Sequence, residues 1–120
     1  MDKVYDIRDR TYNYAKKIIE FLNELPRDYI SQTLGKQLLR SATSVGANIV
    51  EAQAAPSKKD FANFYNYSLK SANESKYWIR LLNDCGKSPK DQSALLLQET
   101  YELSNILASI LLKVRKNGSA

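Results

Sequence analysis

Apolar and small residues recur along this chain at intervals of three and four, the spacing that stacks side chains on one face of a helix, and no stretch shows the alternation of a strand. From Tyr5 to Leu25 the positions Ile7, Thr11, Tyr14, Ala15, Ile18, Phe21 and Leu22 fall on one such face, with Asp6 and Asp9 near the positive end of the helix dipole. Pro26 ends this helix, because a proline pushes the preceding residue out of helical geometry. Arg27 to Ile30 form a short connection, and Ser31 is the expected N-cap of a second helix over about 32–54.

That second helix carries Leu34, Leu38, Ser41, Ala42, Val45, Ile49 and Ala52 on one face and is almost uncharged between Ser41 and Ala52. Its small residues leave shallow grooves in which another helix backbone can sit closely. Gly35 and Gly46 each cost about 1 kcal/mol against alanine in a helix interior, so tertiary packing has to offset them. Asn48 and Glu51 are polar groups on a helix expected to be innermost, and they are expected to be mostly buried and hydrogen-bonded across to the third helix or to a helix end.

Ala55-Pro56 closes the second helix, and Ser57 with Asp60 has the spacing of a capping box opening a third, over about 58–85. Phe61, Phe64, Ser68, Ala72, Ser75, Ile79 and Leu82 share its apolar face, and its small middle is expected to meet the small patch of helix two. Gly86 supplies the left-handed residue that commonly follows a helix, while Ser88 caps a fourth helix over about 89–116 with Pro89 at its first position. The fourth stripe, Leu96, Thr100, Leu103, Leu107, Ile110 and Val114, is widened by Leu97, Ile106 and Leu111. Asn117 to Ala120 read as a frayed tail. Four helices with short connections predict an all-α fold, an antiparallel up-down-up-down four-helix bundle forming one domain over residues 1–120.

One bundle interior cannot bury every apolar residue of this pattern. Leu95, Leu97, Ile106, Leu111 and Trp78 lie at the margins of their stripes, with Tyr65 beside the helix-three core face, where a monomer would carry charges. Large exposed apolar patches mark interfaces, so a homo-oligomer is expected.

Length changes this picture little: 120 residues suffice for a core without disulfide or metal. The single cysteine, Cys85, has no partner for an intramolecular disulfide, and no secretion signal is evident at the start, so a cytoplasmic location is expected. No run approaches eighteen apolar residues, so no membrane-spanning helix is expected. Charge matters more. The chain has 18 Lys and Arg against 13 Asp and Glu, a net +5, which raises the prospect of a polyanionic partner.

The absence of histidine removes the commonest general base, the commonest transition-metal ligand and every Ser-His or Cys-His nucleophile arrangement. No carboxylate-histidine pair for a di-iron bundle and no glycine-rich phosphate loop is present, so neither a cofactor nor a metal is expected, and the chain does not read as an enzyme. A catalytic reading would set Glu51 against Glu74 as acid and base; a structural polar network of Asn48, Glu51, Ser71 and Glu74 is favoured over it. The sharper signal is the outward face of helix three. Lys59, Asn63, Asn66, Lys70, Asn73, Tyr77 and Arg80 form one stripe that contains no acid. Cations interleaved with amides and a tyrosine suit phosphate contact, base-edge hydrogen bonds and stacking, the mixture that single-stranded or looped RNA asks for.

Three segments carry a resemblance: Ser44 to Glu51, Ser57 to Phe61, and Ser71 to Leu82. They resemble the bacterial four-helix-bundle family of S23 ribosomal proteins, first noticed as reading frames within intervening sequences of 23S ribosomal RNA genes. The family's segment typically reads Ser-Ile-Pro-Ala-Asn-Ile-Ala-Glu-Gly; here Gly46 stands for the proline, Val50 for an alanine and Ala52 for the glycine. The resemblance implies a four-helix bundle. The related accessory variability proteins of diversity-generating retroelements look like rings of five bundles that bind nucleic acid and a reverse transcriptase through a basic surface. By that analogy a pentamer is favoured over a dimer, and an RNA-binding adaptor is the first functional expectation; a protein-interaction bundle with no nucleic-acid role is the alternative.

Overall fold

The computed structural model describes residues 6–118. Four helices follow one another: α1 (Ile7–Asn23), α2 (Tyr29–Gln53), α3 (Lys58–Asp84) and α4 (Lys90–Gly118). Cross-contacts fix their directions. Ser41 and Val45 of α2 meet Ser75 and Ser68 of α3, Gly46 and Gly35 of α2 face Thr11 and Leu22 toward the two ends of α1, and Arg10 and Tyr14 of α1 reach Glu99 and Thr100 of α4. The α2–α3 and α1–α2 pairings run in opposite chain directions, as neighbours in an up-down bundle do. It is elongated, 51 × 28 × 20 Å.

Helix boundaries follow local chemistry. The Asp6 carboxylate accepts the Asp9 N–H at 3.3 Å at the start of α1. Asp28, not Ser31, caps α2: its backbone is extended, its carboxylate accepts the Ser31 N–H at 2.8 Å, and the Ser31 hydroxyl donates to its other oxygen at 3.0 Å. The helix therefore begins three residues earlier than the serine suggested, because a carboxylate accepts more strongly than a hydroxyl and Asp-Tyr-Ile offers no helix breaker. The Ser57–Asp60 cap forms as expected, the Asp60 N–H donating to Ser57 Oγ at 3.1 Å. Gly86 has φ 71°, a conformation that side chains with a Cβ seldom adopt, and it releases α3 into the turn. At the other end of the chain Asn117 and Gly118 continue α4 where a frayed tail was expected; Ser119 and Ala120, like Tyr5, lie outside the described residues.

The core joins Tyr14, Ile18 and Phe21 of α1, Leu38, Val45 and Ile49 of α2, Ile79 and Leu82 of α3, and Leu103 and Leu107 of α4. Its middle is laced with hydroxyls from all four helices. Tyr14 and Thr100 lie 2.7 Å apart, and because the Thr100 hydroxyl donates to the Leu96 carbonyl at 2.6 Å, the phenol is the donor. Ser41 and Ser75 lie 2.8 Å apart, and Ser75 donates to the Ser71 carbonyl at 2.9 Å. Ser68 donates across to the Val45 carbonyl at 2.7 Å. The expected meeting of small patches on α2 and α3 is realised, with alanines 42 and 72 fully buried in it. The glycine on the α1 side has a reason as well. A Cβ at Gly46 would stand 3.1 Å from Thr11 Oγ1 and 3.3 Å from its Cβ, so α1 approaches α2 more closely there than alanine allows.

Leu111, placed among the marginal residues by its spacing, is buried at 3% exposure, because α4 turns that side toward the bundle near its C-terminal end. Leu95 is 70% exposed, and Leu97, Ile106 and Trp78 are half-buried.

Candidate nucleic-acid interface

α3 presents its core residues and its polar stripe on opposite sides. Lys59, Asn63, Lys70, Asn73, Tyr77 and Arg80 are exposed and Asn66 is half-buried. From Lys59 to Arg80 the stripe covers roughly 32 Å at 1.5 Å per residue, with its three cations about 16 Å apart. Asn73 Oδ1 accepts from Lys76 Nζ at 2.9 Å, which brings a fourth cation to the edge of the stripe. Lys76 Nζ also lies 4.3 Å from the ring centroid of Tyr101 on α4, and partial burial lowers its pKa. Tyr77 meets Trp78 edge to face at 5.0 Å, leaving the tyrosine ring itself 59% exposed.

The only acid of α3 near the middle of this face, Glu74, is occupied. Its carboxylate accepts the Trp78 indole N–H at 2.9 Å and is paired with Arg40 of α2. The indole hydrogen bond first, and then the Arg40 guanidinium, hold the Glu74 carboxyl below its usual range. Glu74 therefore presents a neutralised pair beside the cationic stripe. The pairing with Arg40, 34 residues away, has no signal in local spacing and was not foreseen.

The polar network expected around Glu74 does not form. Asn48 is half-buried, but its side-chain N–H donates at 2.8 Å to the Ser44 carbonyl of its own helix, not across to α3. Glu51 is exposed, and Ser71 contributes only its carbonyl, to Ser75. The reason lies in the contact surface: Ser41, Ala42, Val45, Ile49 and Ala52 fill the α2 face turned to the core, which leaves Asn48 and Glu51 beside the seam and not within it. Without that juxtaposition Glu51 and Glu74 do not constitute an acid-base pair. Among the described residues no group of three or more His, Cys, Asp or Glu is placed to hold a metal ion, and no helix is long and apolar enough to cross a membrane.

A second feature lies between α1 and α4, which touch each other far less than either touches its other neighbour. Phe21 and Leu96 floor a groove of about 670 Å³ there, walled by Glu20 and Glu24 on one side and Glu99 and Glu102 on the other. Arg10 closes one end, donating to Glu99 at 3.0 and 2.8 Å and to Glu102 at 2.7 Å. These contacts, with Glu99 foremost, raise the Arg10 pKa further. The groove leaves no trace in local spacing, because its acids lie on the first and last helices, far apart in the chain.

The family model of the 23S rRNA-intervening sequence protein matches residues 3–109. The chain belongs to this family. A crystal structure at 1.70 Å of a protein of unknown function from the S23 ribosomal protein family, from Bacteroides thetaiotaomicron VPI-5482, is 35% identical over 88% of this chain and 97% of that one, with a TM-score of 0.80. No functionally curated protein matches the chain. The 23S rRNA-intervening sequence family thus accounts for the small-residue helix, the α3 segment and the four-helix order together.

Proposed function

We propose that this member of the family is a non-catalytic, oligomeric RNA-binding adaptor that uses the outward face of α3. The observation that carries the reading is the stripe of Lys59, Lys70 and Arg80 with interleaved amides and Tyr77, which itself holds no acid; the carboxylate beside its middle, Glu74, is neutralised by Arg40. Amides and an exposed tyrosine add hydrogen bonding and stacking to phosphate contact, which favours unpaired bases over duplex. Net charge of +5 supports approach to a polyanion. Repetition of a weak site around an oligomer would raise avidity without any further contact. Support for association is the exposed apolar surface away from the α1–α4 groove, with Leu112 70% open; a ring of five is favoured over a dimer on the analogy of related proteins.

Filter binding of a structured, loop-containing RNA across a salt series tests the reading. If each protomer uses its three stripe cations on phosphates, affinity falls roughly 20- to 40-fold between 50 and 200 mM salt. The triple variant Lys59→Ala, Lys70→Ala, Arg80→Ala flattens that slope. A flat dependence in the native chain, or no binding at low salt, leaves the protein-interaction bundle as the better reading. Light scattering after size exclusion checks assembly, where a mass near that of one chain removes the ring and the avidity that rests on it.

A further inference from the structure

The α1–α4 groove has the properties of a docking site, and we propose that it receives a basic amphipathic helix of a partner protein. This does not rest on the RNA reading, since the groove shares no residue with the α3 stripe. Three observations converge. The first is apolar: Phe21 and Leu96 form the floor and Leu95, 70% exposed, stands at the rim, which is where an apolar side chain of an incoming helix would insert. The second is charge. Four glutamates face two cations, Lys17 in the lining and Arg10 at the end, so the groove is net negative by two in a chain whose net charge is +5. Glu20 and Glu24 are exposed and have no ion-pair or hydrogen-bond partner among the described residues.

The third is shape. The lining runs from Gln92 to Glu102 along α4, about 15 Å at the helical rise, which is the length of nearly three turns, and the groove is open to solvent along its side. A trough with an apolar floor and charged walls is the arrangement that accepts a helix through i, i+3 and i+4 anchors. In a chain of net charge +5 the acidic walls both select the sign of the partner and set its register.

The test is calorimetric titration with a synthetic amphipathic peptide of about 18 residues, long enough to populate a helix, with leucines on one face and lysines on the other. The native chain binds it. The variant Glu20→Lys with Glu24→Lys binds it at least tenfold more weakly and gains affinity for the same peptide carrying glutamate in place of lysine. The Lys59→Ala, Lys70→Ala, Arg80→Ala variant binds the lysine peptide as the native chain does, which separates this site from the RNA surface. Circular dichroism of both variants confirms the fold. Four results overturn the proposal: no binding to the native chain, equal binding to the Glu20 and Glu24 variant, equal binding of a peptide with serine in place of leucine, or a fall in the oligomeric mass of the Glu20 and Glu24 variant without peptide binding, which would seat a second copy in the groove.

Discussion

α2 meets α3 mostly through serines and alanines beside Val45 at the centre of the contact, whereas α1 and α4 stand apart over a trough walled by glutamates. The first seam is joined by buried hydroxyls, Ser68 donating across to the Val45 carbonyl and Ser41 meeting Ser75. The second is tied by Arg10 and by the Tyr14–Thr100 bond, and is otherwise open to solvent. The contrast teaches where the sequence invests its specificity. Small residues give close backbone approach but tolerate no added volume, while the open seam tolerates change and keeps a surface available for a partner.

Overpacking breaks the comparison most directly. Ala72→Leu, at a fully buried position of the tight seam, should destabilise by about 1 to 3 kcal/mol in urea denaturation, while Leu95→Ala at the open seam should cost under about 0.5 kcal/mol. Equal costs would mean the two seams do not differ in packing. Next in size is Tyr14→Phe, which leaves the Thr100 hydroxyl without its donor and should cost about 1 to 2 kcal/mol. This substitution has a pH signature. Burial pushes the Tyr14 phenol up to about 12, opposed by the neighbouring Thr100 and Ser75 hydroxyls. A folded pKa above the unfolded value means the contribution is complete below about pH 10 and is lost as pH rises toward 12. The Phe variant should lose that alkaline limb in a stability profile.

The two α2 glycines sharpen the point with effects of opposite sign. Gly46→Ala gains helix propensity but presses on Thr11, a buried residue whose hydroxyl is held by the Ile7 carbonyl, and a net loss of about 0.5 to 1 kcal/mol is expected. Gly35→Ala meets only the methyl ends of Leu25 and Leu22, which can shift, and should be neutral or stabilising by up to about 1 kcal/mol. Thermal melts of the pair decide it. Small as well is the effect of Glu74→Gln, which should cost under about 0.5 kcal/mol because the ion pair is largely exposed. The lowered folded pKa of Glu74 means its contribution is present above the unfolded carboxylate value and disappears as pH falls through the folded one, so the Gln variant should show a shallower acid limb.

How far the sequence could be read follows from the range of each interaction. Helices, the Ser57 cap, the Gly86 turn and the core stripes depend on residues within a few positions of one another, and the period of three and four exposes them. Ser31 misled because two residues three apart, Asp28 and Ser31, can both cap, and the stronger acceptor wins. The Asn48–Glu51–Ser71–Glu74 network failed for another reason: helical spacing says which residues share a face, but not how far around that face the neighbour reaches. The α3 stripe was legible as a surface, whereas the Arg40 pairing and the α1–α4 groove arise from residues brought together only by the fold.

Trp78 is the only tryptophan in the chain. Its indole N–H is bound to Glu74, and its ring stands edge-on to Tyr77. The consequence is optical: nearly all of the ultraviolet emission excited at the red edge of the spectrum originates at one side chain, between the Arg40 clasp and the face proposed for RNA. A base stacking on Tyr77 would quench it, and opening of the Glu74 contact would shift its colour. The molecule thus carries its own label-free reporter at the surface where it matters most.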